Sequence, residues 1–114
     1  MEKNLLFSFD DEITTGFYYD IDGHKIAVYF AAYYDNRRFV EKKCQLIIEK
    51  WGYAKRKLSV DNRYKDLEDH IRIISMILDM HIADKKLFLT VNTLDGQYVD
   101  LLFYNCNVKI EDIS

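Results

Sequence analysis

The sequence contains no proline and only four glycines among its 114 residues. Interdomain linkers are commonly rich in these two residues or in serine, and low-complexity segments repeat a few residue types. Neither kind of composition occurs in this chain. A length of 114 residues also matches the commonest size of a single domain. We therefore expect one domain that spans residues 1–114.

Cysteine and histidine are also scarce, with two cysteines and three histidines in the chain. Cys44 and Cys106 lack the close spacing, to each other or to a histidine, that metal sites and redox motifs require. We expect both to be reduced thiols, with Cys44 buried in a strand. The glycines never cluster into a phosphate-binding loop. The sequence therefore predicts no metal, no cofactor and no catalytic constellation.

Long apolar runs are absent as well. The patch Leu5-Leu6-Phe7 near the N-terminus is too short for a signal sequence or a membrane span. We therefore expect a cytoplasmic protein that makes no membrane contact.

Charge is distributed unevenly along the chain. Residues 36–65 carry ten Lys or Arg against three acids, whereas residues 1–35 carry two against seven and residues 66–114 carry four against nine. The three segments sum to the net charge of −3. Such segregation is typical of complementary surfaces inside one fold or of a binding face for a charged partner.

The strongest local signal is a hairpin around Asp22-Gly23, because Asp-Gly between apolar residues favours a type I′ turn. A two-residue loop pairs Asp20 with Lys25, which are opposite charges. This register places apolar residues on one face of the hairpin: Phe17, Tyr19, Ile21, Ile26, Val28 and Phe30. Tyr18, Asp20 and Tyr29 then fall on the opposite face.

A second hairpin is predicted around Asp95-Gly96, between strands 87–93 and 98–104. A two-residue loop would place Thr90 and Asn92 on the same face as Val99. A longer loop, or a sheet covered on both faces, therefore remains open. Further strands are predicted at 44–51, 53–58 and 108–110, with a turn at 35–38.

One α-helix is predicted over about residues 63–82. Asp61-Asn62 is a candidate N-cap, and acids follow where carboxylates favour the positive end of a helix. Apolar residues repeat at helical spacing: Leu67, Ile71, Ile74, Leu78 and Ile82. The sequence therefore predicts an α+β fold in which an antiparallel sheet of about 5–7 strands packs on this helix.

A strand with the pattern C-x-L-x-I-x-x-W follows the first hairpin, and the closing hairpin ends L-x-F. The residues that carry these patterns are Cys44, Leu46, Ile48, Trp51, Leu101 and Phe103. With the predicted helix, this arrangement resembles small α+β immunity proteins of bacterial polymorphic-toxin and contact-dependent growth inhibition systems. The resemblance implies a cytoplasmic protein without catalysis that binds one cognate toxin domain, such as a nuclease, and blocks it.

The candidate contact surface is the outer face of the first hairpin. Tyrosine gives contact area at low entropic cost, and the chain has nine tyrosines. We expect Tyr18, Asp20 and Tyr29 to anchor a partner, and an acidic run to support them: Asp10, Asp11 and Glu12. The alternative interpretation is that another element covers this face or that the face is simply solvated. A homodimer through an exposed strand edge is compatible with this function and with the two other classes of function below.

Two other classes of function remain open. A nucleic-acid-binding or regulatory accessory domain would use the basic segment 37–57 as one continuous stripe, in which the candidate residues are Arg37, Arg38, Lys55, Arg56 and Lys57. The sequence pI of about 5.6 is low for such a domain. A small enzyme would need a pocket lined by His24, Cys106 or the acids of the helix.

Overall fold

The computed structural model describes residues 2–3, 7–9, 12–20, 22–67 and 73–113. These residues form strands, turns and loops and contain no helix, so the predicted α+β fold class is wrong and the protein is all-β. The thirteen strands are β1 (Glu2–Lys3), β2 (Phe7–Ser8), β3 (Thr14–Asp20), β4 (Lys25–Phe30), β5 (Tyr33–Asp35), β6 (Arg38–Val40), β7 (Cys44–Glu49), β8 (Tyr53–Leu58), β9 (Lys65–Asp66), β10 (Ile74–Ala83), β11 (Lys86–Thr93), β12 (Tyr98–Tyr104) and β13 (Asn107–Asp112).

The strands form three antiparallel sheets. Sheet I has six strands in the order β1-β10-β11-β12-β8-β9, and sheet II has four in the order β13-β7-β4-β3. Sheet III is smaller, with the order β2-β5-β6. The antiparallel pairing agrees with the sequence prediction, but the strands are divided among three sheets instead of one.

Sheets I and II share one hydrophobic core. Alternate residues of each strand point into this core, because successive side chains of a strand lie on opposite faces. Trp51 is 5% exposed, and its ring centroid lies 4.9 Å from that of Phe103. Phe9 stacks on Phe30 at 4.1 Å. The apolar residues of β10 therefore pack against the opposite sheet as part of a strand, and not as the face of the predicted helix.

The segment predicted as a helix, residues 63–82, forms β9 and most of β10. The pairing of β10 with β11 has two register shifts, one between Ile74 and Met76 and one between Ile77 and Asp79. A β-bulge inserts one extra residue and so interrupts the alternation of period two. The core-facing residues of β10 are consequently Ile74, Ile77, Met80 and Ile82, at spacings of three, three and two. Intervals of three also occur in the apolar stripe of a helix, but Leu78, which belongs to the predicted stripe, is 38% exposed here.

The start of the predicted helix has a different outcome. Asp61 and Asn62 lie in the loop between β8 and β9 and cap no helix. Glu68, Asp69, His70 and Ile71 lie outside the described residues.

The first hairpin has the predicted register, with pairs that run from Gly16 opposite Tyr29 to Asp20 opposite Lys25. The turn itself differs from the predicted type I′. Type I′ needs positive φ at both central residues, but the φ of Gly23 lies outside the positive range, while His24 has φ 49°. The Asp20 carboxylate accepts a hydrogen bond from the Gly23 amide at 3.0 Å.

The second hairpin uses the longer loop that the sequence left open. Thr93 donates its amide hydrogen to the Gln97 carbonyl, so the loop comprises residues 94–96. Gly96 has φ 83°, which a glycine adopts at no steric cost. This loop places Leu87, Leu89 and Val91 opposite the core-facing residues of β12.

Two-residue turns with positive φ do occur, but at positions without glycine. Asn36 and Arg37 have φ 48° and 69° between the paired residues Asp35 and Arg38. Asp84-Lys85 has φ 52° and 62° between β10 and β11. The turn predicted at 35–38 is confirmed, whereas neither Asp-Gly sequence forms a type I′ turn.

We predict that Gly96→Ala lowers the free energy of unfolding by about 1 kcal/mol, because an L-residue with a Cβ is strained at positive φ. Gly52→Ala is the matched control, since an added Cβ has no neighbour within 4 Å at either glycine and only Gly96 has positive φ. Urea unfolding of both variants measures the difference. Equal stability of the two variants would contradict the backbone assignment at Gly96.

Candidate functional site

The outer face of sheet II carries the predicted tyrosines, and we call it the tyrosine face. Tyr18 pairs with Ala27, and Ala27 pairs with Ile47, so the three form a row across three strands. Tyr29 occupies the adjacent row of the same face. Tyr18 is 50% exposed, whereas Ala27 and Ile47 are only 2% and 3% exposed. The face is therefore a small apolar strip in which Ala27 and Ile47 are already covered within the protein, while Tyr18 projects beside the partly buried Tyr29.

Charged residues border this apolar strip. Lys25 lies between Asp20 and Glu49 in the row on one side. Lys109 continues the row of Ile47, and its Nζ is 3.6 Å from a Glu49 oxygen and 3.8 Å from a Glu111 oxygen. The structure thus places Tyr18, Asp20 and Tyr29 together on one face, as the hairpin register predicted.

Of the acidic run predicted to support these anchors, the structure describes only Glu12. Asp10 and Asp11 lie outside the described residues. Glu12 is partly buried and lies close to Cys44. Burial, followed by the charges of Asp112 and Glu12, raises the pKa of Cys44 to about 11. Glu12 therefore lies near the end of sheet II at which Cys44 pairs with Phe30.

The residues proposed for an enzymatic pocket do not come together. His24 stacks on Trp51, and its Nδ1 lies 2.7 Å from the Trp51 carbonyl oxygen. Cys106 borders a separate cavity beside Leu87 that does not include His24. Burial raises the pKa of Cys106 to about 11, so its thiol stays protonated at neutral pH. Among the described residues, no group of three His, Cys, Asp or Glu side chains is placed to hold a metal ion.

The basic segment is divided among different surfaces. Arg37 lies in the turn that precedes β6, and Arg38 is the first residue of β6 in sheet III. In β8, Lys55 and Lys57 point to the outer face of sheet I, whereas Arg56 pairs with the buried Leu101 and points to the inner face. The described residues therefore form no continuous basic stripe along 37–57.

The outer face of sheet I carries an aromatic cluster that the sequence did not predict. Tyr53 and Tyr104 lie 5.5 Å apart between ring centroids, with Lys55 over the Tyr53 ring at 5.3 Å. His81 stacks on Phe88 at 5.0 Å in the neighbouring row. The predicted helix over 63–82 accounts for the His81 part of this omission, because it placed His81 outside any sheet.

Asp100 is the centre of a polar network on the same outer face. Lys57 Nζ lies 3.0 Å from one of its oxygens, and the hydroxyls of Ser59 and Thr90 donate to the other at 2.9 and 3.0 Å. Burial alone would raise the pKa of Asp100, but the hydrogen bonds from Lys57, Ser59 and Thr90 outweigh it and lower the pKa.

A cavity of about 190 Å³ opens on the inner side of sheet I, next to Arg56. Its apolar wall is formed by Leu58, Ile74, Val91, Val99 and Leu101. Its charged lining consists of Arg56, Lys57, Arg63, Lys65 and Asp61. We call it the cationic cavity. Strand alternation could have indicated the inward position of Arg56, because Ala54 and Leu58 are two residues before and after it and therefore point to the same face.

No helix in the described part of the chain is long and apolar enough to cross a membrane.

We predict that Asp100→Asn lowers the free energy of unfolding by about 1 to 2 kcal/mol at pH 7, because charge-assisted hydrogen bonds are stronger than neutral ones. The folded pKa of Asp100 lies below its ordinary value of 3.8, so this contribution is complete above that value and is lost as the pH falls through the folded pKa. Unfolding measured from pH 7 to pH 3 tests this.

Asp79→Asn is the matched control, because Asp79 lies in the same row of sheet I but its side chain is 63% exposed. We expect it to change stability by less than about 0.5 kcal/mol. A loss for Asp100→Asn that is the same at pH 3 as at pH 7 would contradict the assigned pKa direction.

Comparison with known proteins gives no relative: no family model matches the chain, and neither the curated proteins nor the solved structures contain a match. The resemblance to immunity proteins therefore stays a prediction.

Proposed function

We propose that this protein is a non-catalytic protein-binding module of the immunity type, which binds a cognate toxin domain in the bacterial cytoplasm and neutralises it. The observation that carries the proposal is the tyrosine face. A half-exposed Tyr18 projects there from a four-stranded sheet, next to Tyr29 and in the same row as the buried Ala27 and Ile47.

This arrangement has the physical properties of an interface core. Aromatic residues dominate binding energies because they bury a large area while few rotatable bonds are fixed. A four-stranded sheet with its other face in the core is rigid, so little backbone entropy is lost when a partner binds. The flanking charges of Asp20, Lys25 and Lys109 supply a polar rim of the kind that surrounds such anchors.

Charge favours a basic partner surface. The tyrosine face carries three acids, Asp20, Glu49 and Glu111, against two lysines, Lys25 and Lys109, so its formal net charge is 3 − 2, or one negative charge. A toxin domain that acts on nucleic acid binds the phosphate backbone through a basic surface, and an acidic inhibitor surface accelerates association with such a surface. The division of the basic segment 37–57 among several surfaces makes nucleic acid itself a weaker candidate for the partner.

The test is a pull-down of the tagged protein from lysate of its own organism, together with the product of the gene directly upstream, washed at high salt. We predict near-stoichiometric recovery of one toxin domain. Tyr18→Ala should weaken the complex about 30-fold or more, as expected for an aromatic anchor. Titration calorimetry with the recovered domain measures this change.

Tyr98→Ala is the matched control, because Tyr98 is 55% exposed but lies on sheet I. We expect it to bind the toxin domain as the unmodified protein does. Equal effects of the two substitutions would exclude the tyrosine face as the contact surface. Recovery of nucleic acid that washes off with salt, or of no partner, would contradict the proposed function.

A further inference from the structure

Among the described residues, the cationic cavity brings together four cations and a single acid, Asp61. Arg56 and Lys65 are directly opposite each other in the pairing of β8 with β9, so both side chains lie on the same face of sheet I. Like charges in this position repel each other and destabilise a sheet. Arg63 lines the same cavity, and among the described residues it forms no ion pair.

Two residues that line the cavity each have a buried polar atom without a hydrogen-bond partner among the described residues. Arg56 Nε and Gln97 Oε1 are inaccessible to solvent, and neither has a hydrogen-bond partner in the described part of the chain. A buried donor or acceptor without a partner costs about 1 to 3 kcal/mol, so folded proteins rarely retain one without a reason. Both atoms belong to residues that line the cationic cavity.

The described carboxylates near the cavity do not neutralise its four cations. Asp61 is the one acid among the described residues that line the cavity, against four cations. Lys57 is held by Asp100 at 3.0 Å on the outer face. Arg56 and Lys65 are therefore available to an external anion, and Arg56 offers the planar guanidinium that binds a carboxylate through two parallel hydrogen bonds.

The rest of the cavity sets the size and polarity of the ligand. Ile74, Val91, Val99 and Leu101 form an apolar wall next to the cations. A dry cavity of about 150 Å³ accepts a benzene ring, and this one has about 190 Å³. We propose that the cationic cavity is a binding site for a small organic carboxylate of about the size of benzoate, with the carboxylate on Arg56 and the apolar body against the inner face of sheet I.

This proposal is independent of the protein partner, and benzoate is the probe that tests it. Calorimetric titration of the full chain with sodium benzoate is compared with titration with benzyl alcohol, which has the same ring but no charge. We expect benzyl alcohol to bind at least about tenfold more weakly, because it cannot form a charge-assisted pair with the guanidinium. Inorganic phosphate is titrated as well, to separate a carboxylate site from a general anion site.

Arg56→Met should weaken benzoate binding at least about tenfold, whereas Lys55→Met should leave it within about twofold. Lys55 is the matched control, because it is the preceding residue of β8 but points to the outer face over Tyr53. Arg56→Lys keeps the charge and removes the planar fork, so we expect intermediate binding from this variant.

Thermal unfolding without ligand provides a second measurement. Arg56→Met removes a buried unpaired donor and a like-charge pair, so we expect the free variant to be at least as stable as the unmodified protein. The proposal is overturned if benzyl alcohol and benzoate bind equally, if phosphate binds and benzoate does not, if no probe binds at millimolar concentration, or if Arg56→Met and Lys55→Met have equal effects.

Discussion

Two sheets that share one core impose a simple constraint on this molecule: each strand residue faces either the core or the outside. The partition explains why neighbours in sequence have unrelated roles. In β8, Arg56 faces the core side while Lys55 and Lys57 support the outer face of sheet I. In β3, Tyr18 projects outward while Phe17 and Tyr19 pack against the core. Both candidate sites are consequences of this alternation.

Local pairing was predictable from the sequence, whereas the fold class was not. The register of the first hairpin follows from the opposite charges of Asp20 and Lys25 and from apolar residues at every second position. The error at 63–82 has a specific cause. Two bulges interrupt the alternation of β10, so Ile74, Ile77 and Met80 recur at intervals of three. A bulge depends on the partner strand, which a single-sequence pattern does not contain. The Asp22-Gly23 dipeptide did not predict the turn type either, because Gly23 lacks the positive φ that a type I′ turn requires.

The two candidate sites differ in how much the sequence could indicate. The common face of Tyr18, Asp20 and Tyr29 needed only strand alternation and the hairpin register. The cationic cavity could not be predicted without tertiary structure. Lys65 lies opposite Arg56 only through the pairing of β9 with β8, and Ile74 and Val91 come from other strands of sheet I. A basic run in the sequence suggested an outer stripe for nucleic acid. In the structure, Arg56 from this run lies on the inner side of sheet I instead.

The central position of β7 in sheet II has a consequence for synthesis of the chain. One edge of β7 pairs with β4, but the other pairs with β13, so that Cys44 meets Asp112 only after 68 further residues have been made. Until then a nascent chain exposes the unpaired backbone of a strongly apolar strand, and such edges are templates for aggregation. Lys42 and Lys43 precede this strand and Lys50 follows it. Charges that flank an apolar strand act as gatekeepers against aggregation, and these three lysines occupy that position at the two ends of β7.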